Sequence, residues 1–112
     1  MNNISRGDIW LVNLDPTIGA EIRPVVVVSS DIVGVLPIRL VAPLSEWKDY
    51  FAQNVWHIKL VANSLNGLAK TSAIDVLQLR GVDSQRFVRK LGCVSPTVMR
   101  SIVSAIAAII EY

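Results

Sequence analysis

One cysteine and one histidine are all that 112 residues supply of the two commonest soft metal ligands. With Cys93 alone, no disulfide can close within the chain, and neither a thiolate metal cluster nor a dithiol redox pair can be built. Cys93 is read as a small buried apolar residue. Long hydrophobic runs are missing too: nothing approaches the ~18 to 20 apolar residues that span a bilayer. Residues 1–7 have neither the apolar stretch nor the small-residue cleavage site of a signal peptide, so the expected compartment is the cytoplasm, with no membrane partner. Charge of one sign is scarce. The net charge of +2 is scattered, without a basic or acidic block, so any nucleic-acid site must be assembled by folding. There is also no G-x-S-x-G elbow, P-loop, H-E-x-x-H pair or cluster of metal ligands. No metal and no cofactor are expected.

What is present is an apolar share of 52%, enough for one packed core, and a single domain over residues 1–112 is expected. Asp8-Ile9-Trp10-Leu11-Val12-Asn13-Leu14 is rich in strand formers and stops at the turn pair Asp15-Pro16. Pro24-Val25-Val26-Val27-Val28-Ser29 reads as a fully buried strand. Residues 31–37 form a connection, and Ile38-Arg39-Leu40-Val41-Ala42 is a third strand ending at Pro43. Residues 44–51 read as an ordered loop, residues 55–60 as a fourth strand, and residues 72–80 as a fifth, interrupted by Asp75, Gln78 and Arg80. Asn66-Gly67 and Asp83-Ser84-Gln85 mark turns, and residues 87–94 supply a last strand.

Ser95-Pro96 is an N-cap followed by proline at the first helical position, where the missing N–H costs nothing. Val98, Met99, Ile102, Val103, Ile106, Ile109 and Ile110 then recur at helical spacing. The expected class is mainly β with a C-terminal helix: a small antiparallel barrel, the helix closing one side or carrying part of a dimer seam.

Two segments carry a specific resemblance. Arg6-Gly7-Asp8-Ile9-Trp10-Leu11-Val12-Asn13-Leu14-Asp15-Pro16, followed by Gly19-Ala20-Glu21 and Arg23-Pro24-Val25-Val26-Val27-Val28, resembles the opening motif of MazF/PemK toxins. Residues 70–83 are similar to that family's second motif. The resemblance implies an SH3-like barrel of the CcdB/MazF type that forms a homodimer and cleaves single-stranded RNA without a metal. It also implies a 2′,3′-cyclic phosphate and a 5′-OH as products, and a cognate antitoxin whose tail occupies the RNA groove. The family's catalytic arginine falls on Arg23 and its catalytic threonine on or near Ser45, where serine keeps the hydroxyl but loses the methyl that stiffens the rotamer. The loop before Arg23 is shorter than the family's Gly-rich version, and Ile22 replaces a polar residue.

These residues also have plainer readings. Arg23 alone would be a solvated loop arginine, Glu21 either a surface carboxylate or the partner that holds the Arg23 fork, and Ser45 either a phosphate ligand or a turn cap. Thr17 and Gly19 belong to the polar loop that delivers Arg23, and Gln78 and Arg80 are placed as groove residues for RNA. Trp47, in a loop, stacks on bases or packs locally, whereas Trp10, Trp56 and His57 are read as structural. Two other functions compete. A CcdB-like gyrase poison shares the barrel but acts through a tryptophan near the extreme C-terminus, where this sequence has Ile109-Ile110-Glu111-Tyr112. A non-catalytic RNA-binding or protein-binding barrel would keep the shape without the chemistry.

Overall fold

The computed structural model describes residues 3–15 and 21–112. Seven strands follow in chain order: β1 (Asp8–Asn13), β2 (Ile22–Val27), β3 (Ile38–Glu46), β4 (His57–Leu60), β5 (Ser72–Asp75), β6 (Arg80–Asp83) and β7 (Phe87–Cys93). The helix α1 (Pro96–Ile109) comes last. Every pairing is antiparallel, in the order β4-β5-β3-β2-β1-β7, with β6 also on β3. The long β3 is the hub. It takes β2 along one edge and, along the other, β6 at residues 38–41 and β5 at residues 44–46.

The valine run of β2 explains how the sheet is buried. Successive strand residues point to opposite faces, and Val26 joins one core while Val25 and Val27 join another. The first core sets Ile9, Val26, Ala42, Leu44 and Ile74 against Met99, Ile102 and Ala105 of α1. The second packs Trp10, Val12, Leu14, Val25, Val27 and Val41 against Val82 and Phe87, where the sheet curls over itself. A strand covered on both sides reads as a continuous apolar run, not an alternating one. The curl comes from two register shifts between β1 and β7, since an extra residue on one strand bends it and increases its twist. Trp10 and Phe87 meet edge to face at 5.7 Å across the curl.

Buried polar groups lock the connections. The Asp8 carboxylate accepts from the Ser5 N–H at 2.9 Å and from Trp10 Nε1 at 3.2 Å, and Lys90 Nζ approaches it at 3.3 Å. The buried Asn66 side chain accepts from the backbone N–H groups of Asn63 and Leu68 and donates to the Val61 carbonyl, so the segment between β4 and β5 is tied to itself. α1 starts as the sequence predicts, with the Ser95 hydroxyl accepting from the Val98 N–H at 3.2 Å and Pro96 opening the first turn. No helix among the described residues is long and apolar enough to cross a membrane.

Four expectations are corrected. Pro43 does not end the third strand, because β3 changes partner there and continues to Glu46. The expected strand over residues 72–80 is β5, a 3₁₀ turn at Val76–Gln78 and the start of β6; the turn forms because the Asp75 carboxylate accepts from the Leu77 N–H at 3.0 Å. The expected loop over residues 44–51 is the end of β3 and most of a 3₁₀ turn, Asp49–Gln53. Cys93 is half-buried because it closes β7 at the rim of the sheet.

Gly67 is the tightest point of the segment between β4 and β5. Its φ is +66°, and a Cβ there would overlap the Leu91 carbonyl oxygen, a backbone atom that cannot move alone. Gly67→Ala is expected to cost about 3 kcal/mol or more, lowering the melting temperature by about 10 °C or more. A circular-dichroism melt within about 3 °C of the parent would contradict this close approach.

Candidate active site

Two prolines open a gap in the sheet. The β2–β3 ladder runs Val27 to Val41, Val26 to Ala42 and Val25 to Pro43, and stops. Pro43 at that last pair and Pro24 next to it on β2 have no N–H to carry the ladder further. β3 then turns to β5, pairing Leu44 with Ile74, Ser45 with Ala73 and Glu46 with Ser72. β2 stays on β1, with Arg23 opposite Val12.

Continuing the broken β2–β3 register would set Arg23 across from Ser45. A side-chain bond takes the place of the missing ladder bond: Arg23 Nη2 donates to the carbonyl of Leu44, the residue before Ser45, at 3.1 Å. On the other side of the guanidinium, Nη1 lies 3.8 Å from Glu21 Oε1. The contact joins side chains 30% and 48% exposed, so the backbone bond is the firmer anchor and the ion pair adds little. Glu21 is itself placed by backbone: its N–H donates to Asn13 Oδ1 at 3.3 Å and its carbonyl accepts from the Leu14 N–H at 2.9 Å. Arg23 is therefore a strand residue rather than a loop residue, and a guanidinium with five N–H donors keeps part of its fork facing solvent.

Ser45 is exposed and lies inside β3, which removes the turn-cap reading. Its neighbour Glu46 accepts from Lys48 and from Lys70, both at 3.3 Å. The Lys48 ammonium first, and Lys70 second, hold the Glu46 carboxyl below the usual carboxylate range. The residue after it, Trp47, donates its N–H to the Thr71 carbonyl at 3.1 Å. Its ring meets Phe51 edge-on at 5.8 Å and carries Lys59 Nζ 5.4 Å from its centroid. Phe51 in turn stacks on His57 at 4.0 Å. His57 has a side chain 9% exposed, bonds Asn54 at 3.1 Å and sets its Nε2 3.7 Å from Asp75 Oδ2. Trp10 and Trp56 pack with the cores.

Gln78 lies on the 3₁₀ turn, donating to Asp75 Oδ2 at 2.9 Å. Arg80, at the start of β6, donates to the Leu14 carbonyl at 3.3 Å. The structure thus gathers Glu21, Arg23 and Ser45 at the gap and puts Arg80 on the strand end beside it, while Gln78 stands on a 3₁₀ turn and Trp47 just past the end of β3. Thr17 and Gly19 lie outside the described residues. Sequence reasoning missed the Leu44 carbonyl that positions Arg23, and Arg86, which also reaches Leu14; only the two prolines one register step apart could have signalled the first. Among the described residues, no group of three or more His, Cys, Asp or Glu could hold a metal ion.

Comparison with known proteins bears on this geometry. The family model described as PemK-like, MazF-like toxin of type II toxin-antitoxin system matches residues 5–110. The chain belongs to this toxin family. It is 28% identical over 107 residues to Endoribonuclease EndoA of Bacillus subtilis (strain 168), covering 92% of this chain and 90% of that protein. The fold matches the Mycobacterium tuberculosis toxin MazF-mt6 with a TM-score of 0.77 at 18% identity, covering 93% of this chain and 96% of that one. An endoribonuclease in complex with its cognate antitoxin, from a mycobacterial species, matches with a TM-score of 0.79 at 16% identity over 96% and 95% of the two chains. The barrel-like, mainly antiparallel fold with its C-terminal helix agrees with the sequence expectation.

Proposed function

We propose that this toxin is a sequence-specific endoribonuclease of the cytoplasm that cuts single-stranded RNA without a metal and is neutralised by a cognate antitoxin. The observation that carries the reading is the Arg23 guanidinium, fixed by the Leu44 carbonyl at 3.1 Å beside the exposed hydroxyl-bearing Ser45. The names of its relatives, an endoribonuclease and an endoribonuclease bound to its antitoxin, support it.

RNA carries its own nucleophile. The 2′-OH next to the cut attacks phosphorus, its proton leaves, and the P–O5′ bond breaks with a proton passing to the departing 5′ oxygen. The products are a 2′,3′-cyclic phosphate and a 5′-OH. The protein's share is to orient that attack and to stabilise the charge that grows on the phosphoryl oxygens. Guanidinium is permanently charged and its fork matches two phosphate oxygens, so Arg23 serves as the charge stabiliser; with a pKa above ~12 it is a poor proton donor. Ser45 holds the phosphate or orients the 2′-OH. Glu21 keeps the fork aligned, and Trp47, Gln78 and Arg80 line the path of the strand, with Thr17 and Gly19, outside the described residues, assigned to RNA contact by sequence alone. Ile32, Val35, Leu36 and Ile38 are each more than half exposed, an apolar area that supports assembly as a homodimer.

With a mixed-sequence RNA in excess EDTA, wild-type protein is expected to cleave and Arg23→Ala to be slower by about a hundredfold or more, the scale of losing one oxyanion ligand. Equal rates, or activity that returns only with Mg²⁺, would overturn the mechanism.

Ser45→Ala is expected to cut the single-turnover rate by about tenfold, the scale of a hydrogen bond to a charged group. Ser45→Thr keeps the hydroxyl and stiffens its rotamer, and is expected to retain the rate. An alanine variant with full activity would take Ser45 out of the site.

A further inference from the structure

Arg86 is a charged residue near the gap that the reaction above leaves unused. It ends the 3₁₀ turn Ser84–Arg86, and its Nη1 points to the Leu14 carbonyl at 3.5 Å, the same oxygen that Arg80 Nη2 reaches at 3.3 Å. Two guanidiniums converge on one neutral oxygen. That acceptor takes only part of the two forks, and each guanidinium keeps further N–H donors that a phosphate can use.

The place of this pair relative to Arg23 follows from register. Arg80 is opposite Val41, which is opposite Val27, so Arg80 shares the sheet face of Val27, Val25 and Arg23. Leu14 is two residues beyond Val12, the partner of Arg23. A rise of ~3.4 Å per residue and a strand spacing of ~4.8 Å put the Cα atoms of Leu14 and Arg23 roughly 8 Å apart. Arg86 also lines a shallow cavity of about 420 Å³ with Asn13, Asp83, Gln85 and Val88. The Asp83 carboxylate there is engaged by the Gln85 N–H at 2.8 Å.

We propose that Arg80 and Arg86 together form a second phosphate site, gripping the RNA backbone beside the scissile phosphate. The site rests on the endoribonuclease reading and deepens it: Arg23 acts on the phosphate that is cut, and the arginine pair fixes the strand's course and register by holding a neighbouring phosphate. Phosphate contacts of this kind position the strand without reading its bases.

The test measures binding of a mixed-sequence RNA, 2′-O-methylated throughout so that it cannot be cut, by fluorescence anisotropy across a salt series. Arg80→Gln and Arg86→Gln keep a donor for the Leu14 carbonyl but lose the charge. Each is expected to weaken binding by about tenfold and to flatten the salt slope by roughly 0.7, the loss of one phosphate contact on a single strand. Arg86→Lys is expected to keep the slope. Unchanged affinity and slope in both glutamine variants would overturn the second site, as would weaker binding with an unchanged slope, the mark of a merely structural role. If unmethylated RNA is still cleaved by wild-type protein, that failure leaves the endoribonuclease reading standing; wild-type protein that neither binds nor cleaves RNA overturns both.

Discussion

The hydrogen bond from Arg23 to the Leu44 carbonyl is the contact on which the site depends. Where Pro24 and Pro43 withhold their N–H groups, β2 and β3 part, and a guanidinium replaces the backbone ladder across the opening. The consequence is double. The sheet can turn β3 from one partner to the next, and a permanently charged group is held on strand backbone rather than on a mobile loop, at the place where Ser45 presents its hydroxyl. A bond of a charged donor to a carbonyl is stronger than a neutral pair, so the same interaction that closes the sheet's seam fixes the cation proposed to act on RNA.

The rest of the fold supports that placement. β2 is buried on both faces, by α1 through Val26 and by the curled sheet through Val25 and Val27, which leaves its N-terminal end at the rim with little freedom to shift register. At the same rim the end of β1 is gathered in: Leu14 gives its N–H to Glu21 and its carbonyl to Arg80 and Arg86. The base of the segment between β1 and β2 is thus cross-linked to β6 and to the turn after it, bringing residues from opposite ends of the chain to one edge.

What could be read beforehand follows from how local each signal is. β1, β7 and α1 were legible because strand formers, a capping serine with proline behind it, and a helical period are all written in adjacent residues. Pro43 misled because its turn tendency is local, whereas its tolerance in β3 comes from a change of partner that no short window contains. The break after Asp75 was hidden by apolar neighbours, although an aspartate able to cap its own chain was its one local cue. Arg23 is marked in the sequence by the glycine-containing loop before it and the proline after it, while its role, and Ser45, come from family resemblance; their spatial relation needs the β2–β3 register. Arg86 carried no cue, since the carbonyl it meets is 72 positions away in the chain.

The central claim is that this site lets RNA cut itself, with the protein supplying position and positive charge. Its most direct test maps the cleavage point on one RNA and then replaces only the 2′-OH at that nucleotide with hydrogen. The account predicts that cleavage there disappears while the oligonucleotide still binds, and that the unmodified RNA gives a 5′-OH end ready to accept a phosphate from a polynucleotide kinase. Continued cleavage of the 2′-deoxy substrate at the same bond, or a 5′-phosphate on the product, would contradict it.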